Sequence, residues 1–91
     1  MGVLGDDIER RTHAAVESLV GRAVSGNEKL GGGLGFSSAS LPSLIQHVAR
    51  ALNDPPALHH GGLPLPPNVA AFLGITLGTF KDWVRAQVLT S

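Results

Sequence analysis

Apolar residues recur at spacings of three and four along the first part of the chain, over residues 6–25. This spacing puts them on one face of a helix, while most of the charged residues fall on the other faces. Asp6 followed by Glu9 has the form of a capping box with Asp at its first position, and Gly26 is suited to end the helix. We therefore predict an amphipathic helix within residues 1–26. Its apolar stripe consists of Ile8, Ala15, Val16, Leu19, Val20, Ala23 and Val24.

Glycine and serine interrupt the periodicity over residues 27–40, which read NEKLGGGLGFSSAS. Three consecutive glycines followed by Gly35 are typical of a loop that holds phosphate. The Gly-Lys-Ser/Thr ending of that motif is absent, however, and nothing before the loop has the pattern of a strand. We predict a flexible linker here, with Leu34 and Phe36 packed against the core.

A second helix is predicted over residues 41–52, where the helical spacing returns. Ser40 is suited to cap this helix, and Pro42 falls in its first turn, where a missing N–H costs little. The sequence Asn-Asp-Pro-Pro at residues 53–56 ends it. Its apolar stripe consists of Leu41, Leu44, Ile45, Val48 and Leu52.

Two shorter helices are predicted near the end of the chain, over about residues 67–73 and 77–89. They follow the segment ALHHGGLPLPP, which has no period and contains strong helix breakers. No stretch of useful length alternates apolar and polar residues with period two, so we predict no sheet. A small hairpin in the loops remains an alternative. The chain is therefore predicted to be a single all-α domain, residues 1–91, built as a bundle of about four helices. The last three, within residues 41–91, are predicted to form a tri-helical helix-turn-helix unit.

The stretch VAAFLGITLGTFKDWVR, residues 69–85, has the residue types that a helix-turn-helix requires. A small residue lets the second helix pack over the first, apolar residues fill the angle between them, and glycine in the turn tolerates a positive φ. An apolar residue then closes the corner, a hydroxyl caps the second helix, and apolar residues at i and i+3 return to the core. Ala70 is the small residue, Val69 and Leu73 fill the angle, and Gly74 is the glycine of the turn. Ile75 closes the corner, Thr76 caps the second helix, and Phe80 and Trp83 return to the core.

The longer stretch LPPNVAAFLGITLGTFKDWVRA, residues 65–86, resembles the helix-turn-helix of phage excisionases and mercury-resistance-type regulators. Their usual form is a helix led by Pro or Glu, then Val-Ala, Leu-Gly-Val/Ile, Ser/Thr, and a Thr, an apolar residue and Trp. The resemblance implies that the second helix enters the major groove of double-stranded DNA by its N-terminal end. Hydroxyls and cations would then contact phosphates or base edges. The residues implied at the DNA interface are Thr76, Leu77, Gly78, Thr79, Lys81 and Arg85.

The departures from that family lie on the surface that would read DNA. Leu77 and Gly78 stand where the family generally carries Arg, Gln or Ser, and Lys81 is followed directly by Asp82. Phe72 is apolar where family members are often polar. An alternative interpretation follows, in which the motif serves protein contact and Leu77 and Phe72 form an exposed apolar patch.

Composition adjusts these expectations. Hydrophobic residues make up 43% of 91 residues, but with three Phe and one Trp the core is modest, and we expect a homodimer to supplement it. Seven Lys and Arg balance seven Asp and Glu, which counts against DNA binding because neutralising phosphates supplies most non-specific affinity.

The absence of cysteine fits a reducing compartment. No apolar run reaches the ~20 residues of a membrane span, and the first residues do not have the pattern of a signal peptide. We therefore expect a cytoplasmic protein.

Candidate chemistry is sparse. His59 and His60 adjoin each other, with His13 and His47 elsewhere, but their spacing does not predict a metal site, and no cofactor is expected. No serine lies in a nucleophile-elbow pattern, so we do not predict an enzyme. The leading prediction is a small sequence-specific DNA-binding protein, either a transcriptional regulator or an accessory factor of phage or plasmid type. The alternative is a helical protein–protein interaction adaptor without nucleic-acid binding.

Overall fold

The fold is all-α, as the sequence predicts. The computed structural model describes residues 3–55, 57 and 61–90, and within them the helices are α1 (Val3–Val20), α2 (Leu41–Asn53), α3 (Val69–Phe72) and α4 (Leu77–Thr90). No strand forms among these residues, and the backbone of Lys29 makes one isolated antiparallel bridge with that of Thr76. None of the helices in the described ranges is long and apolar enough to cross a membrane.

Helix α1 begins and ends earlier than predicted. It ends at Val20 because Gly21 adopts a positive φ of 86°, a conformation that glycine reaches without steric cost, and donates its N–H to the Glu17 carbonyl at 2.8 Å. The predicted stop at Gly26 is therefore wrong. Asp6 lies inside the first part of the helix and does not cap it, so the predicted capping box is wrong as well.

Helix α1 is the centre of the packing, because both α2 and α4 pack against it. It runs antiparallel to α4, since Glu9 lies beside Arg85 and His13 lies beside Lys81. The helix packing thus differs from the predicted tri-helical unit of residues 41–91, and α1 belongs to the same core as the later helices. The buried apolar residues are Ile8, Ala15, Val16, Val24, Leu30, Leu34, Leu41, Leu44, Ile45, Val48, Ala49, Leu52, Leu77, Phe80, Val84 and Val88.

Helix α2 presents to this core the same stripe that the spacing predicts, with Ala49 in addition. Ser40 occupies the N-cap position, but its side chain makes no capping hydrogen bond and instead accepts one from the Ser37 N–H at 2.8 Å. At the other end, the Arg11 guanidinium donates to the carbonyls of Ala51 and Asp54, at 3.2 and 2.9 Å. These bonds tie the end of α2 to α1, because the last carbonyls of a helix have no partners within it.

The glycine-rich segment is a packed loop with a place in the core. Leu30 and Leu34 are buried and Phe36 packs against the same cluster, which agrees with the predicted anchoring at Leu34 and Phe36. The N–H of Leu30 donates to the Ile75 carbonyl at 3.0 Å, and that of Gly31 donates to the Leu73 carbonyl at 2.9 Å. This loop, residues 21–36, therefore holds the turn between α3 and α4 in place.

Candidate functional site

Two helices joined by a four-residue turn form the region that the resemblance singles out. Helix α3 is a single turn, and the side-chain oxygen of its N-cap Asn68 accepts the N–H of Ala71 at 3.1 Å. Residues 73–76 form the turn. The Thr76 hydroxyl accepts the N–H of Thr79 at 3.3 Å, so Thr76 caps α4 in the manner expected of it. The first helix is shorter than predicted, while α4 lies close to its predicted range.

Three aromatic rings join α3 to α4. The Phe72 ring meets the rings of Phe80 and Trp83 edge-on, at centroid distances of 5.8 and 5.0 Å, and Phe80 and Trp83 stack at 6.0 Å. Phe80 is fully buried, whereas Phe72 and Trp83 are half-buried. Phe80 and Trp83 therefore pack inward as predicted. Phe72 packs against these two rings and is not a freely exposed side chain. Val69, Leu73 and Ile75 also pack against the core.

Two residues of the predicted motif play different parts. Ala70 is exposed, so the prediction that α4 packs over it is wrong. Gly74 does not have a positive φ; the described glycines that do are Gly21, Gly35 and Gly61. A β-carbon at Gly74 would lie 3.3 Å from the Ala71 carbonyl oxygen, which is a tight but not a forbidden contact.

The N-terminal end of α4 is covered by the glycine-rich loop. The N–H of Leu77 donates to the Glu28 carbonyl at 2.8 Å, and the N–H of Gly78 donates to the Gly26 carbonyl at 2.9 Å. These are donors that the first turn of a helix otherwise leaves open, for water or for a phosphate. The Leu77 side chain is 0% exposed. The predicted outward placement of Leu77 and Gly78 on a DNA-reading surface is therefore wrong.

The two cations of α4 lie against α1. The Lys81 Nζ is 3.2 Å from Nδ1 of His13, whose Nε2 lies 3.3 Å from a Glu17 carboxylate oxygen. The Arg85 guanidinium comes within 3.9 Å of the Glu9 carboxylate. Of the residues implied at a DNA interface, Thr79 remains exposed, with its hydroxyl 3.2 Å from that of Thr76.

An ion pair shapes the covering loop. Arg22 and Glu28 meet at 2.7 Å, and the Glu28 carboxylate also accepts the Ser25 N–H at 2.8 Å. The hydrogen bond from Arg22, and then that from Ser25, lower the pKa of Glu28 from its ordinary value to about 2. Because the Glu28 carbonyl is the group that bonds Leu77, this pair helps to fix the loop over the start of α4.

A segment without charged residues leads into this covered helix end. Residues 55–80 contain no Lys, Arg, Asp or Glu, and residues 61–75, all of which the structure describes, form what we call the uncharged face. Leu65 is a large apolar residue of this face, and 55% of its surface is exposed. The run of uncharged residues is visible in the sequence, and sequence reasoning missed it by concentrating on the turn. The exposed members of the face are Gly61, Gly62, Pro64, Leu65, Pro67, Asn68, Ala70, Ala71 and Gly74.

Other features offer less chemistry. An open groove of about 640 Å³ between α1 and α2 is lined by Arg11, Arg50, His47 and small residues such as Ala14 and Ala51. Among the described residues no group of three or more metal-binding side chains converges, and the adjoining His59 and His60 lie outside those residues. No known protein family, no curated protein and no solved structure matches the chain.

Proposed function

We propose that this protein is a helical interaction adaptor that presents the uncharged face to another protein. The observation that carries the proposal is the exposure of Leu65, at 55%, within a described surface segment that has no charged residue. The Lys, Arg, Asp and Glu residues of the chain all lie at positions 6–54 and 81–85. The cores of protein–protein interfaces are likewise depleted in charge, and an apolar patch beside a charged surface is typical of a docking site.

Binding through this face requires no rearrangement of the fold. Ala70, Ala71 and Leu65 are already exposed, and α3 has no fully buried residue. The half-buried Phe72 anchors α3 to α4 through its ring contacts. The packed aromatic rings therefore fix the position of α3 before a partner binds. Less conformational entropy of this face is then lost on binding.

DNA binding through α4 is the second candidate. It is supported by the four-residue turn between α3 and α4, by the cap at Thr76 and by the exposed Thr79. It requires more rearrangement, because Lys81 and Arg85 would have to leave His13 and Glu9 to reach phosphates. The chain also has no net positive charge to attract a duplex.

Affinity capture with matched variants tests the adaptor proposal. The immobilised protein is exposed to a lysate of its source cells and washed at low and at high salt. We expect captured proteins to survive the high-salt wash, because an uncharged interface loses little to screening. Capture should be lost in Leu65→Glu and in Ala70→Glu, which add one charge to the exposed face. The matched control Gln46→Glu adds the same charge to an exposed position of α2 and should leave capture unchanged.

A duplex titration separates the second candidate from the first. We expect no change in the anisotropy of a labelled DNA duplex at low or moderate salt. Salt-sensitive binding that is lost in the double variant Lys81→Ala/Arg85→Ala would favour DNA binding instead. Equal capture by the wild type, Leu65→Glu and Ala70→Glu would contradict the adaptor proposal.

A homodimer and a cytoplasmic location remain proposals from the sequence. A dimer would present two copies of the uncharged face and raise the affinity for a partner with two sites. Sedimentation equilibrium over roughly a hundredfold range of concentration tests it. A mass of twice 9.4 kDa supports the dimer, and 9.4 kDa throughout contradicts it.

A further inference from the structure

Burial follows a period of three through the proline-rich part of the uncharged face. Leu63 packs against the core and Pro66 is buried, while Pro64, Leu65 and Pro67 are exposed. Residues 62–66 belong to no helix, strand or turn. A polyproline II helix has three residues per turn and no internal hydrogen bonds, so positions i and i+3 share one edge. The half-buried Leu63 and the buried Pro66, three residues apart, fit a helix of this kind that rests one edge on the core.

The sequence itself favours that conformation for these residues. The rings of Pro64, Pro66 and Pro67 hold φ near −65°. Leu63, Leu65 and Pro66 each precede a proline, and a following proline disfavours the α region for the residue before it. Leu63, Leu65 and Pro66 are therefore biased towards extended or polyproline II geometry, and the three prolines have the φ that this conformation requires. The segment is thus shaped before any partner arrives, which removes part of the entropic cost of binding.

We propose that residues 63–67 form a polyproline II ligand that docks into an aromatic-lined groove of a partner domain. The proposal rests on the adaptor function and names the class of its partner. Pro64 and Pro67, three residues apart, form the outward row that such grooves accept in Pro-x-x-Pro ligands, and Leu65 supplies a neighbouring side chain for an apolar pocket. Affinity comes from proline rings on aromatic faces, because residues 55–80 contain no formal charge to add a salt bridge.

A second copy of this chain does not fit the groove that the segment requires. The chain has no tyrosine, one tryptophan and three phenylalanines. Phe72, Phe80 and Trp83 pack against one another in a single cluster, with Phe80 fully buried. The third phenylalanine, Phe36, packs against the core. The aromatic groove therefore belongs to a different protein.

Titration against defined polyproline-binding domains tests the inference. The full chain is titrated into purified domains of the SH3, WW and EVH1 types, and binding is measured by calorimetry and by chemical shifts of the chain. We expect at least one type to bind, with the shift changes centred on residues 63–67. The double variant Pro64→Ala/Pro67→Ala and the single variant Leu65→Ala should each weaken that binding roughly tenfold or more. The matched control Pro55→Ala, an exposed proline elsewhere, should bind as the wild type does.

Each outcome supports or overturns the polyproline ligand. The experiments also distinguish a failure of the polyproline ligand from a failure of the adaptor function. Binding by none of the domain types, or binding that Pro64→Ala/Pro67→Ala leaves unchanged, overturns it. In the capture experiment, loss with Ala70→Glu but not with Pro64→Ala/Pro67→Ala would keep the adaptor function and reject the polyproline ligand. Capture that neither variant reduces would reject both. A thermal melt of each variant confirms that it remains folded.

Discussion

At the scale of single residues, Leu77 connects parts of the chain that lie far apart in sequence. Its side chain is fully buried, and its N–H bonds the carbonyl of Glu28 in the glycine-rich loop. The buried residues of α4 are Leu77, Phe80, Val84 and Val88, which recur at helical spacing. Leu77 is therefore the first member of the stripe that packs α4 into the core.

Truncating Leu77 should be strongly destabilising. We expect Leu77→Ala to lower the free energy of unfolding by about 2–5 kcal/mol, because it removes buried methyl groups and leaves a cavity. Urea unfolding followed by circular dichroism measures the change. The control Ala70→Ser, at an exposed position of α3, should change it by less than about 0.5 kcal/mol. A cost for Leu77→Ala as small as that would mean that Leu77 faces solvent, as the DNA-binding resemblance implied.

At the scale of elements, the helices were more predictable than the loop that joins them. The spacing of apolar residues predicted the buried stripe of α2, because the face on which each residue lies is set by its position within that helix alone. The packing of Leu30 and the bonds from Leu30 and Gly31 to the turn depend on partners more than 40 residues away, which no local pattern encodes. The position of Leu77 was predictable from α4 alone, since Leu77 and Phe80 are three residues apart. The family resemblance placed it outward instead.

The close contact between this loop and the turn leaves little room for a side chain at Gly31. A β-carbon at Gly31 would lie 3.1 Å from the Leu73 carbonyl oxygen, while one at Gly32 would meet nothing nearer than 3.9 Å. We expect Gly31→Ala to destabilise the protein by about 1–3 kcal/mol through overpacking. Gly32→Ala should be close to neutral. Equal melting temperatures for the two variants would show that the loop does not rest on the turn.

The ion pair of Arg22 and Glu28 should make the loop sensitive to acid. The pKa of Glu28 is about 2 in the folded protein and lies below its value of 4.5 for an unperturbed group. The stabilisation that the ionised carboxylate contributes is therefore present above about pH 4.5 and is lost as the pH falls towards 2. We expect the wild type to melt higher than Glu28→Gln near neutral pH, and the gap to close over that range. A gap independent of pH would contradict this account.

At the scale of the whole molecule, a single hydrophobic core joins the helices of the described chain. Buried residues come from α1, the loop, α2 and α4, and both α2 and α4 pack on α1. The apolar composition pointed to a modest core, and the order in which helices meet within it could not be predicted, because amphipathic stripes do not specify their partners. The sequence prediction grouped the last three helices as a unit within a single domain, whereas α2 and α4 each pack on α1.

A shared core should unfold in one step. We expect the fluorescence of Trp83, the single tryptophan of the chain, and the far-ultraviolet circular dichroism of all helices to give the same midpoint in urea. Both probes would report one cooperative transition, because α4 cannot leave without exposing the face of α1 that it covers. An earlier change in the dichroism than in the fluorescence would indicate that α1 and α2 separate from α4.

The covering of α4 by the glycine-rich loop has a consequence for the exchange of amide protons with solvent. The first amides of a helix usually exchange fast, because nothing within the helix bonds them. In α4, the amides of Leu77 and Gly78 are held by the carbonyls of Glu28 and Gly26. Their deuterium uptake should therefore be slow and should follow the lifting of the loop. The exchange rates of these two protons therefore report how often the loop uncovers the start of α4.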